Sequence, residues 1–258
     1  MTISVKPTIN VKPTINVKPT INVYPGGYLD TSFTVNPPVR VWNLQRTDTI
    51  AIDGSSRLQT WDEAKNAHAN DRIAAAAEAE RGVYSAADAG ASGMPTVASP
   101  DAARFMLALG NAAISEPWTR LIVGIMPANN SKYWCDDGTG HGRLYRTASA
   151  NIAFIVSTQF SSTISVDSSQ VSIVRVKGDT ATSEVERYLA DGTHNATEVG
   201  NTGASQDLQG IALFGNASKA GLSVSKVTMV LDFSGSVNAT DLAVFLARME
   251  ALYGVGPF

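Results

Sequence analysis

The feature that most constrains this chain is a six-residue repeat at its N-terminus. Ser4-Val-Lys-Pro-Thr-Ile9 is followed by Asn10-Val-Lys-Pro-Thr-Ile15, by Asn16-Val-Lys-Pro-Thr-Ile21 and by a decaying copy, Asn22-Val-Tyr-Pro25. An even period preserves parity. Ile3, Val5, Pro7, Ile9, Val11, Pro13, Ile15, Val17, Pro19, Ile21, Val23 and Pro25 are all odd, whereas Lys6, Thr8, Asn10 and their repeats are even. Successive side chains of an extended backbone point to opposite sides, so the pattern predicts a strand with one apolar and one polar face. At about 3.3 Å per residue it spans roughly 75 Å, too long to fold back over its own apolar face.

Such a strand needs other chains. Proline at every sixth position removes a ladder donor, which excludes a continuous sheet interior and favours a rope of wound chains or docking on a partner. Three chains about one axis place every odd side chain inside, so the expected assembly is a homotrimer held through residues 3–25. A flexible low-complexity tail is the plainer alternative for Pro-rich repeats. A tail has no reason to keep Ile and Val on one parity, and apolar faces of this size are normally covered. The expected organisation is an arm over 1–25, a connector over 26–38 ending in Pro37-Pro38, and one domain over 39–258.

Composition narrows the class of that domain. Only 17% of residues are charged and 44% are hydrophobic, with abundant Ser, Thr, Asn and Gly, as expected of short strands joined by many turns. A net charge of -3 with scattered Lys and Arg offers no basic stripe for nucleic acid. The single cysteine, Cys135, excludes an intramolecular disulfide and is expected as a small buried hydrophobe. No apolar run approaches the roughly 18 to 20 residues of a membrane span, and the alternating N-terminus is unlike a signal peptide. The expectation is a protein made in a cytoplasm, with no membrane partner, and released by assembly or lysis, with specialised export as the alternative.

From Val39 onward β-like segments recur: 39–44, 104–109, 120–126, 151–158, 170–177, 183–189, 208–214 and 222–233, separated by turn-forming clusters. That spacing predicts an all-β sandwich. Two segments look helical. Asp71 to Glu80 has helix propensity in Ala74 to Ala77 but only Ile73 as a large apolar residue. Ala239 to Leu252 is better founded: Asn238 is a good N-cap with Asp241 three residues on. Leu242, Phe245, Leu246 and Met249 share a face, and Gly254 then Pro257 end the run.

The order of Leu58-Gln-Thr-Trp61-Asp62, Gly93-Met-Pro95-Thr-Val97, the strand from Thr119 to Met126, Tyr188-Leu-Ala-Asp191-Gly192, Leu208 to Gly215 and Leu252-Tyr253-Gly254 resembles the concanavalin A-like, laminin-G-type jelly rolls. These occur in phage virion appendages and glycan-binding modules. The resemblance covers about 200 residues through short motifs, and the Ala-rich stretch and the loop from Asn195 to Gln206 have no counterpart in it. It implies two curved antiparallel sheets with a concave face that often holds sugar, and it supports a fold rather than a function.

Catalytic chemistry finds little footing in the sequence. The Glu-x-Asp-x-x-Glu pattern of polysaccharide-cleaving members of that fold is absent. Glu184-Val185-Glu186 is the nearest approach and reads equally as a solvated strand face. There is no Gly-x-Ser-x-Gly elbow, no phosphate loop, no cofactor motif and no metal spacing among His68, His141 and His194. The sequence-based expectation is therefore a non-catalytic protein. Lys132 to Tyr145 stands out. Trp134, Asp136, Asp137, His141, Arg143 and Tyr145 supply an aromatic face and planar polar groups, the chemistry of a sugar site. The alternatives are an ordinary Asp-Asp-Gly turn with Trp134 in the core, or a Ca2+ held by Asp136 and Asp137 with loop carbonyls.

These features together lead to the expectation of a virion fibre, spike or tail component. Its arm assembles with copies of itself and with other virion proteins, while its jelly roll binds a host-surface glycan or serves architecture. A cellular or secreted lectin is the alternative, and a polysaccharide-cleaving enzyme the third reading.

Overall fold

The computed structural model describes residues 27–65, 72–108, 113–138, 142–156, 158–179, 182–200, 206–216 and 218–257. The repeat arm lies outside the described residues. In chain order the strands are β1 (Arg40–Asn43), β2 (Ile50–Ile52), β3 (Leu58–Asp62), β4 (Arg72–Ala74), β5 (Val83–Asp88) and β6 (Met94–Ser99). Next come β7 (Met106–Ala108), β8 (Trp118–Ile125), β9 (Lys132–Asp136), β10 (Arg143–Arg146), β11 (Asn151–Ile155) and β12 (Gln159–Ser165). β13 (Ser172–Gly178), β14 (Ser183–Leu189), β15 (His194–Gly200), β16 (Ile211–Leu213) and β17 (Ser225–Ser234) follow, then the helix α1 (Ala239–Tyr253).

Two antiparallel sheets result. One runs β15-β14-β13-β8-β17-β6-β5, with β1 also paired to β17; the other runs β12-β11-β10-β9-β16-β7-β4-β3-β2. Side-chain alternation sorts the eight-stranded sheet into two faces. Trp42, Ile122, Val174, Val176 and Val185 join the inter-sheet core, together with Trp61, Trp134 and Phe154 from the other sheet. Their neighbours Val41, Leu121, Val123, Met229, Leu231 and Phe233 face outward, under Leu242, Phe245, Leu246 and Met249 of α1. Burying each such side chain stabilises by about 1.5–3 kcal/mol. The all-β sandwich expected from the sequence is thus present, with a helical layer on one sheet only among the described residues.

The helix forms where its signals lie. The Asn238 side chain accepts from the Thr240 and Asp241 amides, and Gly254 ends the helix in the left-handed conformation at φ 65°. One expectation is corrected. Residues 72–74 form β4 rather than a helix, because Ile73, the single large apolar side chain there, is buried in the inter-sheet core. Residues 27–38, the stretch expected as a connector, pack against α1. Leu29 and Phe33 are buried with α1, Asp241 accepts from the Val35 amide at 2.8 Å, and Arg248 donates to the Tyr28 carbonyl at 2.9 Å.

An ionic row crosses the inner face. Strand register sets Arg40, Asp232 and Arg120 side by side on β1, β17 and β8, all fully buried. Arg120 holds Asp232 through two bonds of 2.7 and 2.9 Å, and Arg40 lies 3.5 Å from the same carboxylate. The guanidinium groups also donate across the core to the carbonyls of Leu208 at 2.8 Å and Gly210 at 2.7 Å. This pins the segment entering β16 against the opposite sheet.

Candidate functional site

The outer face of the nine-stranded sheet carries the candidate site, and strand pairing assembles it. β9 and β10 are antiparallel with a bulge between Leu144 and Tyr145, which leaves Tyr145 opposite Tyr133. Leu144 between Arg143 and Tyr145 points into the core, so its two neighbours face out. The Tyr133 and Tyr145 rings lie 5.3 Å apart, tilted by 49°. The Arg143 guanidinium sits 5.6 Å from the Tyr133 ring, and its Nε donates to Asp136 Oδ2 at 3.0 Å. Asp136, Arg143, Tyr133 and Tyr145 therefore form one contiguous row.

The row continues by register through Ala153 on β11 to Ser161 on β12. Beside it lies a depression of about 380 Å3 whose lining includes Ser131, Tyr145, Thr147, Asn151, Gln159 and Ser161, with no charged residue among those described. That volume is within the roughly 300–1,000 Å3 of small-molecule sites. Local bonds fix the lining: the Thr147 hydroxyl accepts from the Asn151 amide at 3.0 Å, and Gln159 Nε2 donates to the Ser161 hydroxyl at 2.6 Å. Burial, with the neighbouring Tyr133, pushes the Tyr145 phenol above its ordinary value, so it stays a hydroxyl able both to donate and to accept. The result is a ring edged by hydroxyls and carboxamides, which suits an uncharged ligand rich in hydroxyls.

The structure separates the six residues singled out in the sequence. Asp136, Arg143 and Tyr145 come together, but Asp136 is fully buried and bonded to Arg143, and of the six, among the described residues, only Tyr145 lines the depression. Trp134 is a correction: it is fully buried in the inter-sheet core, its Nε1 donates to the Lys226 carbonyl at 3.0 Å, and it presents no face to a ligand. Asp137 is another, since it is buried and accepts from the Gln209 amide at 3.3 Å, supporting the same segment as the arginine row. His141 lies outside the described residues. Among the described residues no group of three or more His, Cys, Asp or Glu is placed to hold a metal.

Tyr133, Asn151, Gln159 and Ser161 were not singled out from sequence. Tyr133 shares the outward parity of its strand, but its place beside Tyr145 depends on the register of the β9–β10 pair, which a bulge resets and parity does not give. Glu184 and Glu186 do share a face of β14. Arg175 from β13 lies 2.6 Å from Glu186 and 3.5 Å from Glu184, and Lys177 lies 3.4 Å from Glu184. The two carboxylates are thus members of a cross-strand ion ladder.

No family model matches the chain, and no curated protein matches it. Among solved structures it is similar to a GH54 α-L-arabinofuranosidase soaked with a cyclic sulfate inhibitor, at 14% identity and a TM-score of 0.56, covering 86% of this chain and 64% of that one. An arabinofuranosidase complexed with arabinofuranosyl-α-1,2-xylobiose matches at 14% identity and 0.55, with the same coverage. Domain 4 of AbnA, a GH43 extracellular arabinanase from Geobacillus stearothermophilus, in complex with arabinotriose, matches at 8% identity and 0.50, over 81% of this chain and 97% of that domain. The chain thus spans 64% of the arabinofuranosidase length. These likenesses establish a shared fold. Because that fold occurs in glycoside hydrolase chains, the expectation of a non-catalytic protein does not stand, and a missing carboxylate motif is no ground for excluding catalysis. The chain is an antiparallel two-sheet sandwich similar in fold to these arabinofuranosidase and arabinanase structures.

Proposed function

We propose that this protein is a carbohydrate-active sandwich of the lectin-like jelly-roll kind that holds a neutral glycan across the outer face of its nine-stranded sheet. One observation carries the reading: the Tyr145 ring borders a depression lined by hydroxyls and carboxamides and by no described charged residue. A sugar ring has an apolar C–H face that packs on an aromatic ring and a rim of hydroxyls that needs short polar partners. The sugar ligands of the structural neighbours support the same class. The test is a neutral-glycan array and an arabinotriose titration, with reducing-end release followed in the same samples to decide whether binding leads to cleavage. Tyr145→Ala is expected to weaken retention at least tenfold; unchanged retention refutes the site.

A second reading concerns assembly, and the parity of residues 3–25 supports it. Copies associate through Val5, Ile9, Val11, Ile15, Val17, Ile21 and Val23, most simply as a trimer, and display the sandwich on a virion fibre, spike or tail. Removing residues 1–25 then leaves a folded sandwich that sediments as a monomer. An oligomer of unchanged mass after truncation overturns this reading.

A further inference from the structure

The opposite side of the sandwich carries a second depression, of about 270 Å3, between α1 and strands β13 and β14. Its walls differ in chemistry. Val237, Leu242, Ala243 and Leu246 line it from the helix side, whereas Arg175, Glu186 and Tyr188 line it from the sheet. The polar wall is set in place by internal pairing. Arg175 Nε donates to Glu186 Oε2 at 2.6 Å, His194 Nε2 meets Glu186 Oε1 at 3.0 Å, and the His194 ring stacks on Tyr188 at 4.3 Å with planes 2° apart. Burial pushes the Glu186 carboxyl up, but the Arg175 charge and the bonds from Arg175, His194 and Tyr188 outweigh it and leave the group below its ordinary range.

A carboxylate and a guanidinium that already neutralise each other, with a neutral phenol beside them, offer directional hydrogen bonds to hydroxyls. A ligand with a full charge has to displace one of these pairs, at the cost of leaving a partly buried charge without its partner. The aliphatic helix wall meanwhile accepts the C–H face of a ring. We propose that this depression is a second carbohydrate site, taking one neutral sugar ring with its hydroxyls toward Glu186 and Arg175 and its apolar face toward Leu242 and Leu246. One chain is then bivalent, with sites on the two outer faces of the sandwich. The ligand class rests on the carbohydrate reading above, but the residues are different ones.

The experiment is a calorimetric titration of the full-length chain with arabinotriose. Two sites per chain are expected, of which Tyr145→Ala removes one. Glu186→Gln keeps the shape of the ladder while removing its charge. Ala243→Trp fills the depression from an exposed helix position without touching the ladder. Each is expected to weaken the second site at least tenfold. A single site that Tyr145→Ala abolishes and Ala243→Trp leaves intact overturns this inference while sparing the first site. Binding that survives Tyr145→Ala and is lost in Ala243→Trp supports it and overturns the Tyr145 reading. No binding to either overturns both.

Discussion

Replacing Gly221 by alanine tests how the Tyr145 site is supported. Gly221 has φ +60°, and a Cβ there would lie 2.4 Å from Cδ2 and 2.6 Å from Cε2 of Tyr133. Carbon atoms pack at about 3.5–4.0 Å, so the overlap is about 1 Å. The backbone is held by the Tyr133 amide donating to the Gly221 carbonyl at 3.0 Å, which leaves the ring as the part that moves. A left-handed conformation costs alanine roughly 1–2 kcal/mol and overpacking a further 1–3 kcal/mol, so a total loss of about 2–5 kcal/mol is expected in urea denaturation. Displacing Tyr133 also takes away the ring partner of Tyr145. An aromatic pair contributes about 0.5–1.5 kcal/mol, so glycan affinity is expected to fall about two- to thirteenfold. The control is Tyr133→Ala, which removes the obstacle. In that background Gly221→Ala should cost only the backbone part and leave affinity unaltered. Equal losses in both backgrounds, or full affinity in the single variant, refute the proposed support of Tyr145 through Tyr133.

Other consequences follow from the same structure. Asp232→Asn leaves Arg40 and Arg120 buried without their shared countercharge and is expected to cost about 3–5 kcal/mol in chemical denaturation; a cost below about 1 kcal/mol contradicts the ionic row. The Asp241 carboxyl is pushed up by burial, but donors from Val35, Asn36 and Thr34 outweigh this and hold it below its ordinary value. A depressed folded value means stability that is present above about pH 4 and lost as pH falls through the folded value, so below about pH 4 stability should fall more steeply with decreasing pH in the native chain than in Asp241→Asn. Identical acid slopes contradict the capping of residues 34–36 by this carboxylate. Burial pushes the Cys135 thiol up to about 12, so it should resist alkylation at pH 8 in the folded chain and react once denaturant is added; rapid labelling of the native protein contradicts its burial.

Several elements were legible in the chain because their signals are local. The Asn238 cap, the apolar stripe from Leu242 to Met249 and the Gly254 stop lie within one stretch and describe α1 almost to the residue. Strand parity likewise placed Glu184 and Glu186 on one face of β14, and the isolation of Cys135 pointed to its burial. Parity says which residues share a face, not which face is inside or what lies across from it.

Those choices belong to the tertiary structure, because they depend on partners far away in the chain. Arg120 and Asp232 meet across 112 positions, so nothing near either one announces the ionic row. Trp134, sugar-like by its neighbours in sequence, is claimed by the inter-sheet core, where a fully buried indole stabilises more than an exposed one. At Tyr145 the strands are neighbours in the chain, and what the sequence left open is register: the bulge between Leu144 and Tyr145 sets Tyr145 over Tyr133 and brings the ring to the hydroxyls of β11 and β12. The sequence alone therefore determined the periods, the caps and the β class, which are short-range properties of backbone and side chain. Pairing and burial between distant segments decided which of its candidate residues face a ligand.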